Sequence, residues 1–344
     1  MYGANGYTGE LVARTAVQHG QRPLLAGRSA PAVAALAAEL GLEHRAFALD
    51  SPAAVDAGLE GMAAVLHCAG PFSRTARPMA EACLRRRVHY LDVTGEIAVF
   101  ESLAARDAEA RAAGVVVLPG AGFDVVPSDC LAAHLKRRLP SATHLVLAFR
   151  SSGGLSRGTA TTRVENFHRG GAVRRDGRIT PVPAGWKTRQ IDFGRGPRPV
   201  MTIPWGDVST AYHSTGIGNI EVYTGASGAQ RTLARASRFV APLLASGPVQ
   251  SLLKRWVRAR GAGPDAAQRE QGRTWHWGEV WDGEGRRAAA RQSGPEGYTF
   301  TALTALAALQ RVLRGEAAPG FQTPAKAFGP DFVLAIPGVT REDL

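Results

Sequence analysis

The stretch Gly3-Ala4-Asn5-Gly6-Tyr7-Thr8-Gly9, at the front of the chain, decides the fold. Its glycines are spaced Gly-x-x-Gly-x-x-Gly, and a helix-forming run from Glu10 to His19 follows at once. Glycines permit a tight turn and let backbone N–H groups approach a phosphate, while the N-terminus of the next helix adds partial positive charge. The stretch predicts a phosphate-binding turn, with a plain flexible glycine turn as the alternative.

The next strand carries the second part of this pattern. The apolar run Pro23-Leu24-Leu25-Ala26-Gly27 ends in Arg28 and Ser29, and Arg28 lies 19 positions after Gly9. A dinucleotide-binding unit places the residue that meets the adenosine ribose at about this spacing. Asp or Glu there binds the 2′-hydroxyl of NAD, whereas arginine suits the 2′-phosphate of NADP. We therefore predict NADP as the cofactor; the alternative is a solvated arginine at a helix start.

The strand that should precede the glycine loop is nearly absent. Only Met1 and Tyr2 come before Gly3, whereas the first strand of a doubly wound sheet is central and buried on both faces. We expect either a start several residues upstream, which we favour, or a truncated central strand. A truncated strand would predict weak stability and weak cofactor binding.

Composition places the chain among globular proteins. Its 344 residues are enough for two domains, and its hydrophobic content of 45% is ordinary. No apolar run is long enough to span a bilayer. Three cysteines without metal-ligand spacing, Cys68, Cys83 and Cys130, favour a cytoplasmic location and no metal site. The net charge of +12 suits anionic substrates, cofactor phosphates or an acidic membrane surface; we expect no nucleic-acid partner, because no reader module is present.

Helical and strand patterns alternate through residue 118. Strand-like runs at 44–49, 63–67, 89–92 and 115–118 are separated by helical runs, which predicts a parallel sheet with right-handed crossovers. The predicted helices include one from Ala30 to Leu40, with Ser29 as its cap and Pro31 in its first turn, and one from Ile97 to Ala113. The fold class is therefore α/β, a Rossmann-type doubly wound parallel sheet over residues 1–125. Ligands bind such sheets at the carboxyl ends of the strands, where the polar and glycine-rich motifs fall.

Several of these motifs together resemble the saccharopine dehydrogenase-like oxidoreductases, and among them the branch that includes trans-acting enoyl reductases. They are the glycine loop, Ala26-Gly27-Arg28-Ser29, Cys68-Ala69-Gly70-Pro71-Phe72, Tyr90-Leu91-Asp92-Val93-Thr94-Gly95-Glu96, Gly122-Phe123-Asp124-Val125-Val126-Pro127-Ser128-Asp129, Ser156-Arg157-Gly158-Thr159, Pro204-Trp205-Gly206-Asp207-Val208 and Thr323-Pro324-Ala325. The resemblance covers almost the whole chain; the missing first strand is the main departure.

The resemblance and the strand ends together give the expected cofactor site. We expect Ala69, Gly70, Pro71 and Phe72 where the pyrophosphate and nicotinamide ribose pass. Further candidates for cofactor binding are Gly3, Asn5, Gly6, Tyr7, Thr8, Gly9, Arg28, Ser29, Thr94 and Gly95. Glu96 is either a helix cap, since a carboxylate is favoured at a helix N-terminus, or part of the site.

The remaining chain reads as a substrate domain. Alternating and short turn-separated runs predict a second α+β domain with a mixed sheet over residues 126–296, followed by a C-terminal helix and tail, 297–344, that pack back on the domain seam. We expect a helix from Ser156 to Phe167 in this domain, and a rigid turn over Pro319 to Pro324 after the C-terminal helix. We expect Asp124 at the interdomain cleft and list Asp124, Tyr212 and His213 as weak candidates for a proton donor. Ser156, Thr159, Thr161, Arg163 and Asp207 are further cleft candidates.

A basic amphipathic stretch at 231–260 has two interpretations. It is a candidate for peripheral contact with an anionic membrane, whereas the alternative is a helix pair packed on the second sheet. The sequence sets no oligomeric state.

The predicted function is an NADP-dependent oxidoreductase. The resemblance implies hydride transfer to the C=C bond of a lipid or polyketide-type enoyl intermediate, carried as a small molecule or a thioester. The alternatives are C=N reduction of the saccharopine type, and an NADP-binding protein without turnover at a lipid surface. No Tyr-x-x-x-Lys dyad occurs, which argues against the short-chain dehydrogenase mechanism.

Overall fold

A computed structural model describes residues 1–154, 156–158, 160–161, 170–232, 246, 249 and 263–344. The chain divides into two compact units, 1–126 with 298–332, and 127–297 with 333–344. The predicted boundaries lay at 125 and 296. The C-terminal segment is shared between the units, with 298–332 in the first and 333–344 in the second.

The first unit alternates helices and strands. Its helices are α1 (Tyr7–Gln18), α2 (Ala30–Leu40), α3 (Pro52–Gly58), α4 (Phe72–Arg86), α5 (Ile97–Ala104), α6 (Asp107–Ala113), α10 (Gly297–Leu313) and α11 (Pro324–Phe328), of which α10 starts one residue before the unit boundary. Its strands are β1 (Leu25–Gly27), β2 (His44–Ala46), β3 (Ala64–His67), β4 (His89–Asp92), β5 (Val116–Leu118) and β14 (Gly320–Phe321).

Tyr2 stands where the central strand of this sheet belongs. It forms parallel bridges to Ala26 on β1 and to His67 on β3, so the order across the first unit is β2-β1-Tyr2-β3-β4-β5-β14. Its N–H donates to the Leu66 carbonyl at 3.0 Å and its own carbonyl accepts from the Cys68 N–H at 2.8 Å. One residue therefore completes the doubly wound order that the sequence predicted.

Helix α1 is held against the first turn by glycine. A Cβ atom on Gly9 would lie 2.1 Å from the Gly3 carbonyl oxygen, closer than atoms can approach, and Gly3 itself adopts the left-handed conformation with φ +81°. The spacing of the glycines therefore fixes how the helix leaves the loop.

The described residues of the second unit form a nine-stranded mixed sheet. Its strands are β6 (His144–Ser151), β7 (Gly171–Arg175), β8 (Arg178–Val182), β9 (Thr188–Asp192), β10 (Pro197–Thr202), β11 (Asn219–Gly225), β12 (Arg273–Trp281), β13 (Arg287–Pro295) and β15 (Thr340–Asp343). Its helices are α7 (Val126–Arg138), which begins one residue before the unit boundary, α8 (Asp207–Thr215) and α9 (Ala266–Gln271), and a 3-10 turn spans Phe332–Ala335 at the boundary. The main order is β15-β13-β12-β6-β11-β10-β9, with β7 beside β11 and β8 beside β7; β6 and β11 pair in parallel and the other pairs are antiparallel.

The predicted fold class is confirmed: the first unit holds the parallel sheet with crossover helices and the second holds the mixed sheet. The predicted helix 97–113 is instead two helices, α5 and α6, because Arg106 breaks the helical backbone between them. The expected helix from Ser156 to Phe167 and the stretch 231–260 lie largely outside the described residues. Within the described ranges, no helix has the length and apolarity needed to cross a membrane.

Candidate functional site

The predicted motifs of the first unit contact one another along the carboxyl edge of its sheet. Asn5 packs closely on Gly27, since a Cβ atom on Gly27 would lie 3.0 Å from the amide oxygen of Asn5. Gly3 packs closely on Ala69, since a Cβ atom on Gly3 would lie 2.7–2.9 Å from atoms of Ala69. Larger side chains at either glycine would separate these loops. The glycine loop therefore touches the last residue of β1 on one side and the loop after β3 on the other.

The N-terminus of α1 is open. Its N-cap is Gly6, and no side chain caps the helix. The amides of Thr8 and Gly9 have no hydrogen-bond acceptor among the described residues. The ring of Tyr7 packs edge-on against the ring of Tyr298, with 4.9 Å between the two ring centroids, and the Tyr7 side chain is therefore partly buried. An open helix N-terminus with a glycine loop is suited to bind a phosphate group.

Arg28 and Ser29 lie directly after β1. Arg28 is exposed, and within the described part of the chain its guanidinium has no carboxylate partner. Ser29 is the N-cap of α2, yet its hydroxyl makes no capping hydrogen bond. A guanidinium and a hydroxyl that neighbouring groups leave available fit the 2′-phosphate predicted for this position.

Helix α4 has its N-terminus closed by Glu96. Its N-cap, Pro71, has no N–H and no side-chain oxygen, and the Glu96 carboxylate accepts hydrogen bonds from the N–H groups of Phe72 at 2.8 Å and Ser73 at 3.2 Å. Glu96 is itself the N-cap of α5 but makes no side-chain bond to that helix. Of the two roles predicted for Glu96, the structure shows the helix cap. The helix that its side chain caps is α4, and not α5, which Glu96 directly precedes.

Asp92 connects the loops after β4 and β5. This buried carboxylate accepts hydrogen bonds from the Tyr90 hydroxyl at 2.6 Å, the Thr94 N–H at 3.0 Å and the Gly120 N–H at 2.9 Å. Burial raises its pKa to about 6, because the charged form loses water, although the three hydrogen bonds oppose this shift. The sequence places Asp92 at the end of the predicted strand 89–92 and within one motif, but it does not reveal the partners of Asp92, which lie up to 28 positions away.

Asp124 lies beside Gly95. A Cβ on Gly95 would be 2.7 Å from the Asp124 carboxylate, so only glycine leaves room for this side chain. Asp124 is half-buried, in the loop after β5. The structure thus places this candidate proton donor at the same edge as the predicted cofactor residues Thr94 and Gly95.

Tyr212 and His213 belong to the second unit, on α8. The guanidinium of Arg174, which is buried, stacks 4.2 Å from the Tyr212 ring and donates to the Val208 carbonyl at 2.8 Å. The rings of Tyr212 and His213 lie 5.6 Å apart. These contacts give Tyr212 a packing role, and the catalytic role of both residues stays a prediction. Thr159 and Arg163 lie outside the described residues.

Sequence analysis also missed His67, the last residue of β3. Its ring is fully buried between Tyr2, at 5.5 Å, and Phe72, at 5.4 Å, and neither ring nitrogen has a hydrogen-bond partner among the described residues. Burial lowers its pKa to about 3, so the imidazole is neutral at physiological pH. A histidine in a short apolar strand gives no sequence signal for such burial.

Comparison with known proteins confirms the resemblance seen in the sequence. Residues 1–118 match the family model described as the saccharopine dehydrogenase NADP binding domain. The open N-terminus of α1 and the arginine after β1 suit the binding of NADP, in agreement with the NADP-binding domain that this match over residues 1–118 describes.

The chain is also related to trans-acting enoyl reductases. It is 30% identical over 226 residues to the one from Mycobacterium ulcerans (strain Agy99), covering 60% of this chain and 53% of that protein. It is 34% identical over 147 residues to the one from Mycobacterium leprae (strain TN), covering 40% and 35%. The chain therefore spans about half, or less, of the length of the curated relatives it matches.

Solved structures show the same fold. Saccharopine dehydrogenase (L-Glu forming) from Saccharomyces cerevisiae superposes with a TM-score of 0.65 at 12% identity, covering all of this chain and 98% of that one. Homospermidine synthase from Legionella pneumophila superposes with a TM-score of 0.59 at 9% identity, covering 93% and 85%. At these identities the likeness is one of fold alone.

The pKa of Asp92 gives a testable pH dependence. Because this pKa is about 6 in the folded state and about 3.9 in an unfolded chain, protonated Asp92 favours folding, and this contribution is lost as the pH rises through about 6. Asp92→Asn cannot titrate but keeps an oxygen for the Thr94 and Gly120 amides. We expect the unfolding free energy of the wild type, relative to Asp92→Asn, to fall by about 2–3 kcal/mol between about pH 4 and pH 7.

Urea unfolding of both proteins across this pH range measures the difference. Asp50→Asn, a change at an exposed carboxylate, is the control and should give a pH profile parallel to that of the wild type. Parallel profiles for Asp92→Asn, or a wild type that gains stability relative to it as the pH rises, would contradict the account.

Proposed function

We propose that this protein is an NADPH-dependent reductase that acts on the C=C bond of an enoyl thioester of the lipid or polyketide type. The observation that carries the proposal is the pair of available anion-binding groups at the carboxyl edge of the first sheet. The first is formed by the amides of Thr8 and Gly9 at the N-terminus of α1, the helix that follows Tyr2. The second is the guanidinium of Arg28, which follows β1. Tyr2 and β1 are neighbours in the sheet. Relatedness to trans-acting enoyl reductases supports the choice of an enoyl substrate.

The chemistry divides between the cofactor and the protein. A bound NADPH supplies the hydride, and reduction of an enoyl thioester adds this hydride to the β-carbon and a proton to the α-carbon. The protein must hold the cofactor in one orientation, stabilise negative charge on the thioester oxygen and deliver the proton. Asp124, beside Gly95 at the cofactor edge, is the candidate in the first unit for the proton; Tyr212 and His213 are the candidates in the second.

Arg28 should decide the preference for NADPH over NADH. Removing its guanidinium removes a charge-assisted contact with the 2′-phosphate, a contact worth about 1.5–3 kcal/mol. We expect Arg28→Ala to raise the Kd for NADPH by about 10- to 100-fold and to leave the Kd for NADH within about twofold. Titration with each nucleotide, followed by nicotinamide fluorescence, measures both constants.

Arg86→Ala is the matched control for this titration. Arg86 is another exposed arginine of the first unit, in the last turn of α4, at the opposite edge of the sheet. Its loss should leave both constants within about twofold, because screening weakens the effect of a distant surface charge. Equal binding of NADPH and NADH by the wild type, or an Arg28→Ala protein that still prefers NADPH, would exclude the assigned phosphate site.

Turnover with a defined enoyl thioester tests the reaction itself. We expect the protein to oxidise NADPH in the presence of crotonyl-coenzyme A and to form the saturated thioester, and Asp124→Asn to lower kcat by at least about tenfold, since a general acid contributes about 10²–10⁴-fold. Cofactor oxidation is followed by absorbance and the product by mass spectrometry. Tight NADPH binding without oxidation would instead support the cofactor-binding protein without turnover. Oxidation only with an imine substrate would support C=N reduction.

A further inference from the structure

Helix α4 depends on a carboxylate from a distant part of the chain. The first amides of a helix lack partners within the helix, and a nearby Ser, Thr, Asp or Asn ordinarily accepts from them. Pro71 offers no such group, and Glu96, 24 positions after Phe72, takes this role with both carboxylate oxygens. A carboxylate at this end also interacts favourably with the helix dipole.

Glu96 is held in place by its own loop. Its backbone N–H donates to the Thr94 hydroxyl at 3.1 Å, and the Thr94 N–H donates to the Asp92 carboxylate at 3.0 Å. Thr94 and Asp92 are fully buried. The Glu96 carboxylate is therefore presented by a loop that buried hydrogen bonds fix to the ends of β4 and β5.

The loop from Ala69 to Phe72 is thus fixed at both ends. Ala69 packs on Gly3 of the glycine loop, and Phe72 is bonded to Glu96. The Thr75 hydroxyl adds a bond to the Ala69 carbonyl at 2.6 Å. This loop follows β3, on the side of Tyr2 away from β1 and Arg28. A dinucleotide whose adenosine phosphate lies at Arg28 crosses the switch point of the sheet toward this loop with its nicotinamide half.

We propose that Glu96 is a positioning residue for the nicotinamide half of the cofactor. It acts through the Ala69–Phe72 loop, and it also occupies the N-terminus of α4, so that the first amides of this helix are not available to the pyrophosphate. This inference rests on the proposed function, because it requires the dinucleotide to bind at the carboxyl edge.

The charge-neutral variant Glu96→Gln separates positioning from simple electrostatics. The amide keeps one acceptor oxygen but places an NH2 group against a backbone N–H, which loosens the loop. Removing a negative charge near a polyanionic ligand would by itself tighten binding. We expect the opposite: a Kd for NADPH that rises by about 5- to 20-fold, while the Kd for adenosine 2′,5′-bisphosphate, which lacks the nicotinamide half, stays within about twofold.

Three further variants complete the experiment. Glu60→Gln makes the same chemical change at an exposed carboxylate of the first unit and should leave both ligands unaffected. Arg28→Ala should weaken both ligands. Glu96→Asp keeps the charge but shortens the side chain by one methylene, so the carboxylate no longer reaches both the Phe72 and Ser73 amides; we expect the Glu96→Gln pattern at smaller size, and this variant carries the test if Glu96→Gln does not fold.

The possible results are distinct. NADPH binding by Glu96→Gln that equals or exceeds that of the wild type would overturn the positioning role, as would parallel losses for NADPH and the bisphosphate, which indicate a general loosening of the unit. Failure of the wild type to bind either ligand would overturn the proposed function and this inference with it. If Arg28→Ala weakens binding of the bisphosphate but Glu96→Gln changes neither Kd, the proposed function stands and the role of Glu96 is rejected.

Discussion

The first unit depends on the close passage of the backbone at Tyr2 and Gly3 between two strands. Tyr2 bonds to β3 through Leu66 and Cys68, and Gly3 donates to the Ala26 carbonyl of β1 at 2.8 Å. These bonds join the strand pair β2-β1 to the four strands β3-β4-β5-β14, so that all six belong to one sheet. The left-handed Gly3 then turns the chain into α1 while packing on Ala69. A side chain at Gly3 would separate the strands, and the loops that they carry, from one another.

The electrostatic potential at the carboxyl edge of this sheet depends on a difference between the N-termini of α1 and α4. The N-terminus of α1 has a glycine cap, and the Thr8 and Gly9 amides have no acceptor among the residues that the structure describes, whereas the N-terminus of α4 is closed by the Glu96 carboxylate. Each helix end carries partial positive charge, so an uncapped end attracts an anion and a capped one does not. Together with Arg28, this difference favours the direction that we propose for a bound dinucleotide, with its adenosine phosphate at Arg28 and its pyrophosphate at α1.

Local sequence signals predicted much of this architecture. The helix Ala30–Leu40 was predicted with its observed bounds, because Ser29 and Pro31 mark its start. The structure shows that it ends at Gly41, which adopts the left-handed conformation. By contrast, β14 was read as a rigid turn. It has two residues, Gly320 and Phe321, and becomes a strand only because it pairs with β5, some 200 positions earlier in the chain.

The sequence likewise predicted part of the candidate site. Residues whose role follows from backbone geometry, such as Gly3, Gly9 and Arg28, are marked by their spacing. The distant partners of Glu96 and Asp92 are not, since these are backbone amides, those of Phe72, Ser73 and Gly120, that come close only in the folded sheet. The buried state of His67 likewise depends on Tyr2 and Phe72 around it. The assignments of Asp124, Tyr212 and His213 to catalysis stay predictions.

The most direct test is an experimental structure of the protein with NADP⁺. The account predicts the 2′-phosphate within hydrogen-bond distance of Arg28 and Ser29, the pyrophosphate on the amides of Thr8 and Gly9, and Glu96 still bonded to Phe72 and Ser73. A pyrophosphate at the N-terminus of α4 with Glu96 displaced, or a 2′-phosphate remote from Arg28, would contradict it.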